Sequence, residues 1–170
     1  CGTPDLWKGE NIKSADVVRD TKSSWDIYTF NRAIAGDLDK KYYWQIMGYM
    51  ALTCSKVGYI DYCLNNTPYH LIERELRIES YKWEETPSWI EAQIIANHTY
   101  DLKAFELAMS ARGLFHSQST EIQAIINSFV PVPLSERHFA FKVDRDEIAI
   151  DKLYKRIEDC REYMNEHFKF

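Results

Sequence analysis

Along the first thirty residues, apolar and β-branched positions come in short runs broken by Gly, Pro and Asn. Gly2-Thr3-Pro4-Asp5-Leu6-Trp7 is followed by the turn-prone Lys8-Gly9-Glu10-Asn11, and Ala15-Asp16-Val17-Val18-Arg19-Asp20-Thr21-Lys22 has β-branched residues at its centre. That punctuation predicts two adjacent antiparallel strands. From Leu38 to about Lys56 the period changes, with Tyr42, Ile46, Tyr49, Met50 and Thr53 recurring at helical spacing. A helix is expected there, with Asp37 or Asp39 as its cap and Gly58 as its end. Tyr59 to Leu64 then reads as a core strand, closed by Asn65-Asn66-Thr67-Pro68.

The remainder is mainly helical in pattern. His70 to about Tyr81 reads as one short helix. Ser88 with Glu91 three residues on has capping-box spacing and predicts a long helix to about Arg112, before Gly113. Thr120 to Phe129 reads as another helix, Pro131 and Pro133 as a break, and Arg137–Val143 as an alternating strand. A last helix is expected from Asp144 to about His167, with Ile148, Leu153, Ile157 and Cys160 turned inward. The sum is an α/β protein: a central mixed β-sheet flanked by helices, with a mainly helical C-terminal extension. One domain is expected over 1–170, with its core motifs in 1–64 and the extension in 65–170. Because the chain opens at Cys1, straight into a strand, an N-terminal segment is expected to be missing.

Composition narrows the class. A chain of 170 residues, 45% hydrophobic and 28% charged, suits one folded domain with a sizeable core. No apolar stretch approaches the ~18 residues of a membrane span, and no secretion signal is visible, so a cytoplasmic protein is expected. Cys1, Cys54, Cys63 and Cys160 contain no CxxC pair, which argues against a zinc site or a disulfide framework. Nor do the five histidines, at 70, 98, 116, 138 and 167, have zinc-ligand spacing. A net charge of −5 weighs against nucleic-acid binding by bulk electrostatics. A local basic surface remains compatible with it, and a metal-dependent nuclease needs carboxylates.

The chemistry-bearing stretch is Asp20-Thr21-Lys22. Side chains two apart on a strand share a face, so Asp20 and Lys22 project together while the Thr21 carbonyl lies near the same edge. A carboxylate and a carbonyl suit a hard divalent cation. An ammonium beside them can position water or stabilise a charged phosphate. Asp5, on the neighbouring strand, would supply a second carboxylate. Gln45 and Tyr49, four apart on the predicted helix, share one helical face and can meet phosphate, sugar or base.

These segments together (Gly-Thr-Pro-Asp, then Asp-Thr-Lys-Ser-Ser-Trp, then Tyr-Tyr-Trp-Gln-Ile-Met-Gly-Tyr-Met) resemble the exonuclease branch of the PD-(D/E)xK nuclease superfamily. That branch holds the lambda exonuclease, YqaJ and RecB-type nucleases with their QxxxY motif. The resemblance covers about residues 2–64 and implies a restriction-endonuclease-like core. It implies Asp5, Asp20 and the Thr21 carbonyl as ligands of Mg²⁺, with Mn²⁺ able to substitute, Lys22 as the catalytic lysine, and Gln45 and Tyr49 as the helix motif at the scissile phosphate. Ser23, Ser24, Lys40 and Lys41 become candidate DNA contacts, and Trp25, Tyr28 and Phe30 candidate stacking residues or core. Two departures stand out: Asp20 replaces the Glu common at that position, and the upstream helix that usually carries another Glu or His would precede Cys1. The lone C-terminal Cys160 implies no iron–sulfur cluster. The expected activity is a metal-dependent DNA exonuclease on duplex ends, in the recombination or repair of a bacterial or phage-infected cell, with a homo-oligomer or a recombinase as conceivable partner. A structure-specific or restriction-type endonuclease, and a non-catalytic DNA- or partner-binding module, are the alternatives.

Overall fold

In the computed structural model, which describes residues 2–168, the first hairpin forms in a single defined register. β1 (Leu6–Gly9) runs antiparallel to β2 (Ala15–Ser23), with Leu6 opposite Arg19, Trp7 opposite Val18 and Lys8 opposite Val17. The register shifts between Lys8 and Gly9, where the chain turns back. Gly9 has φ +150°, and a Cβ there would lie 2.9 Å from the Ala15 Cα, so both conformation and space call for glycine. Asn11 then caps a short 3₁₀ turn, Ile12–Ser14, by accepting from the Lys13 N–H.

β3 (Val57–Cys63) and β4 (His138–Asp144) complete a mixed four-stranded sheet in the order β1-β2-β3-β4. Between β2 and β3 come α1 (Ile27–Ile34) and α2 (Lys40–Thr53). The expected α/β architecture with flanking helices is what the chain forms. Asp39 starts α2, its carboxylate accepting from the Lys41 N–H at 2.9 Å. The end of α2 differs from expectation: Cys54, in the left-handed region at φ 57°, stops the helix. Gly58 instead lies inside β3, where a Cβ would come within 2.5 Å of the Ile46 Cγ1. Its role is close approach of helix to strand rather than termination.

After β3 follow α3 (Tyr69–Ser80), α4 (Ser88–His98), α5 (Leu102–Ala111) and α6 (Thr120–Ser128), and after β4 the long α7 (Glu147–His167). The single helix expected over 88–112 is two. Thr99 is extended, and Asp101 restarts the helix by capping the Ala104 N–H at 2.8 Å. The expected capping box is not made: the Ser88 side chain caps nothing, and Glu91 pairs with Arg112.

The chain divides into two compact units. The first comprises Cys1–Lys22, Ala35–Asp61 and Ala140–Phe170, and the second Ser23–Ile34 and Tyr62–Phe139. In the first, Val18, Ile46, Met47, Met50, Ile60 and Ile150 are buried without remainder or nearly so. The Arg145 guanidinium closes the C-terminal end of α2 there, donating to the Met50 and Ser55 carbonyls. The second unit has its own core, built on Ile72, Ile95, Phe105, Met109 and Ile122, with Phe129 stacked on Phe105 at 3.9 Å between centroids.

α7 corrects a further expectation. Only Ala149 and Ile150 are buried along it, whereas Ile148 is 69% exposed, Ile157 38% exposed, and Cys160 lies on the surface. The helix begins at Glu147 on an Asp146 cap rather than at Asp144. Leu153 still reaches α2, its Cδ2 lying 3.8 Å from where a Cβ on Gly48 would be.

Candidate active site

The alternation of β2 places Val18, Asp20 and Lys22 on one face, and that face carries a charged pair into the interior. Asp20 is 3% exposed. The Lys22 Nζ stands 2.5 Å from the Asp20 Oδ2, an ion pair whose geometry leaves that buried oxygen without an aligned hydrogen bond. Burial of a carboxylate is costly unless cations or donors surround it; the Lys22 ammonium compensates this one, and its remaining lone pairs can accept a further cation.

Lys22 is fixed from three sides. Besides Asp20, it donates to the Gln45 Oε1 at 3.0 Å and lies 4.8 Å from the centre of the Tyr42 ring. Gln45 passes the contact on, its Nε2 donating to the Tyr49 hydroxyl at 2.8 Å. The i, i+4 spacing on α2 makes this possible, and acceptance from Lys22 orients the amide. Tyr49 is buried beneath the start of the chain: a Cβ on Gly2 would sit 3.0 Å from its hydroxyl oxygen. A continuous polar line thus runs Asp20–Lys22–Gln45–Tyr49 from sheet to helix.

Asp5 joins the same locality. Continuing the hairpin register by one residue brings it level with Asp20. Its Oδ2 accepts from the Thr21 N–H at 2.7 Å, and the side chain is exposed. Two carboxylates, with the Thr21 carbonyl next after Asp20 in the chain, form a set of hard oxygen donors. Mg²⁺ is commonly held by one or two carboxylates, with waters and substrate phosphates completing its shell, so the donor set and the under-bonded Asp20 oxygen fit that ion. Among the described residues, no group of three or more His, Cys, Asp or Glu side chains converges as a metal site. The fit therefore rests on two carboxylates.

The other candidates fall into distinct settings. Lys41 is paired with Asp39 at 3.1 Å. Backbone and side-chain bonds from Lys41 hold the Asp39 carboxyl below its usual value, and the bond to Asp39 holds the ammonium above its own. Lys40 is exposed beside it. Ser23 is exposed and accepts from the Asn65 Nδ2 at 3.1 Å, while Ser24 is buried with its Oγ unbonded. In the second unit Phe30 is core, whereas Trp25 and Tyr28 are exposed, Trp25 meeting the His98 ring edge-on at 5.9 Å. Cys1 lies outside the described residues. No helix among the described residues is long and apolar enough to cross a membrane.

Tyr42 escaped the sequence reading as a site residue because its periodicity fits an ordinary apolar helix face. Arg19 was likewise overlooked. It makes a bidentate pair with Asp61, at 2.6 and 2.5 Å, above the Tyr59 ring, and that bonding holds its pKa up. The pair joins β2 to β3 and needs the sheet order to be seen.

The fold has a solved counterpart. The crystal structure of a phage-related exonuclease from Haemophilus somnus 129PT matches with a TM-score of 0.50 and 21% identity, over 89% of this chain. The match covers 50% of the exonuclease, so this chain spans half its length. No protein-family model matches the sequence, and no curated protein matches it. At that identity the likeness establishes the fold alone: an α/β fold of four strands with flanking helices.

Proposed function

We propose that this chain is the catalytic core of a Mg²⁺-dependent deoxyribonuclease, an exonuclease acting on duplex DNA ends in phage or bacterial recombination. The observation that carries the reading is the line Asp20–Lys22–Gln45–Tyr49, with the Asp5 carboxylate bonded to the backbone between Asp20 and Lys22. It unites, in one place, the residues that resemble the PD-(D/E)xK motifs. The matched exonuclease structure adds support at the level of fold.

In this reading Asp5, Asp20 and the Thr21 carbonyl hold the ion. Bound there, Mg²⁺ supplies Lewis acidity to the scissile phosphoryl group and acidity to water. Lys22, pointed by Gln45 and Tyr42, donates hydrogen bonds to the attacking water or to a non-bridging phosphate oxygen, where charge develops. Gln45, itself oriented by Tyr49, gives the lysine a second partner beside Asp20. Lys40, at the exposed start of α2, contributes a phosphate contact.

Incubation with Mg²⁺ and either linear or covalently closed circular duplex tests the reading. Release of nucleotides from linear DNA alone is expected, with loss in chelator and recovery in Mn²⁺. Lys22→Ala should lower the rate by about 10²–10⁴-fold, the usual contribution of a positioned proton-transfer or charge-stabilising group. Cutting of closed circles would move the assignment to an endonuclease with the same centre. Full activity in Lys22→Ala would remove the lysine from the mechanism, and metal-independent DNA binding without cleavage would leave a binding module.

A further inference from the structure

The second half of α7 carries an apolar seam that no described residue covers. Ile150, Leu153, Ile157, Cys160 and Met164 follow one another at alternating steps of three and four residues, a heptad spacing. The seam begins in the core at Ile150, passes Leu153 at the edge, and emerges with Ile157 38% and Met164 42% exposed. A helix confined to its own fold would be polar over that stretch. The uncovered length, Leu153 to Met164, is about 17 Å at 1.5 Å per residue.

The residues flanking the seam indicate what covers it. On one side stand Arg156 and Tyr163, and on the other Tyr154 and Arg161, with both tyrosines about half exposed. A parallel pair of such helices would set Arg156 against the partner's Arg161, like charges across the interface. An antiparallel pair does the opposite. With Leu153 packed on the partner's Met164 and Ile157 on the partner's Cys160, Arg156 comes over the partner's Tyr163 and Arg161 over the partner's Tyr154. Each is a cation–π contact, and the arrangement repeats itself under a two-fold axis.

We propose that α7 is the contact helix of a homodimer, in which a second copy of this chain pairs antiparallel through the Leu153–Met164 seam. Four apolar positions per chain make a small contact, so the dimer forms and dissociates in the micromolar range. The inference stands on α7 alone and is independent of the nuclease reading.

Sedimentation equilibrium of the full chain over the micromolar range should show a monomer–dimer equilibrium. Ile157→Glu and Met164→Glu, both at exposed positions and therefore expected to keep the parent circular dichroism, should each weaken it by more than about tenfold, as for a central interface anchor. Orientation is read by oxidation in a Cys1→Ser, Cys54→Ser background. With Ile157→Cys added, an intermolecular disulfide between position 157 and the partner's Cys160 is expected on peptide mapping. A parent that stays monomeric throughout, an Ile157→Glu variant that dimerises as well as the parent, or a cross-link joining Cys160 to the partner's Cys160 would overturn the proposal.

Discussion

Each unit contains an aspartate with a basic side chain close by, and the two are treated in opposite ways. In the second unit Asp101 is fully employed. Its Oδ1 accepts from the Ala104 N–H at 2.8 Å, its Oδ2 accepts from the Asn66 amide, and Arg137 stands 3.7 Å away. In the first unit Asp20 is more deeply buried, and its Oδ2 lies 2.5 Å from the Lys22 ammonium without an aligned hydrogen bond. A carboxylate saturated by the fold serves the fold. One held by a single ammonium keeps further lone pairs, which on the proposed reading a metal ion takes up. The contrast separates residues whose loss should cost stability from those whose loss should cost activity.

The largest effect should come from removing the under-bonded charge. On the proposed reading Asp20→Asn removes a buried metal ligand and should reduce Mg²⁺-dependent cleavage by at least about 10³-fold, with weaker Mg²⁺ binding by calorimetry. Asn keeps the shape and an acceptor oxygen beside Lys22, so the loss in urea unfolding should stay below about 3 kcal/mol, the lower end for removing one partner of a buried ion pair. Cleavage is compared per folded molecule. A collapse of stability on this substitution would mean that Asp20 is structural and that the contrast is false.

Arg137→Ala is the converse. Arg137 donates to the Val132 carbonyl at 2.8 Å and to the Tyr100 carbonyl, and its side chain is only 13% exposed. Losing two charge-assisted bonds should cost about 3 kcal/mol in urea unfolding, with cleavage per folded molecule unchanged. Arg137→Lys should recover little, since an ammonium cannot reproduce the planar fork.

A smaller and sharper test lies inside the site. Tyr42 touches Lys22 through its ring face at 4.8 Å, so Tyr42→Phe should keep the contact and Tyr42→Leu should lose it. A partly buried cation–π contact contributes about 1–2 kcal/mol, so Tyr42→Leu should slow cleavage about tenfold. Equal rates in Tyr42→Phe and Tyr42→Leu would show that the ring only fills space.

The parts of the molecule legible from sequence are those whose signal is local. The hairpin reads from its punctuation, and the Asp20/Lys22 and Gln45/Tyr49 pairs from the period of a strand and a helix. What escaped depends on partners far along the chain. The break between α4 and α5 is hidden because Ser88 and Glu91 mimic a capping box and the apolar period continues past it. The turn is made by Asn66, whose Oδ1 takes the Tyr100 N–H at 2.6 Å. Tyr42 reads as one more apolar helix position until β2 is laid beside α2. The outward seam of α7 is indistinguishable by period from an inward one, because periodicity reports a face and not what covers it.

The finest test of the contrast is pH. The Asp101 carboxyl sits below its ordinary value, chiefly because the Ala104 N–H caps it, then because of the Asn66 amide, with Arg137 adding attraction and partial burial opposing. A depressed folded-state pKa means that this stabilisation is fully present above the unfolded value of about 3.9 and is lost as pH falls through the lower folded value. Asp101→Asn keeps a competent helix cap but cannot titrate. The parent should therefore exceed the variant in stability by less than about 1 kcal/mol near neutral pH, and the gap should shrink toward zero in acid. Urea titrations at a series of pH values check this. A gap that stays constant into acid would show that Asp101 holds its partners by shape and not by charge, and would erase the distinction from Asp20 on which the other expectations are ranked.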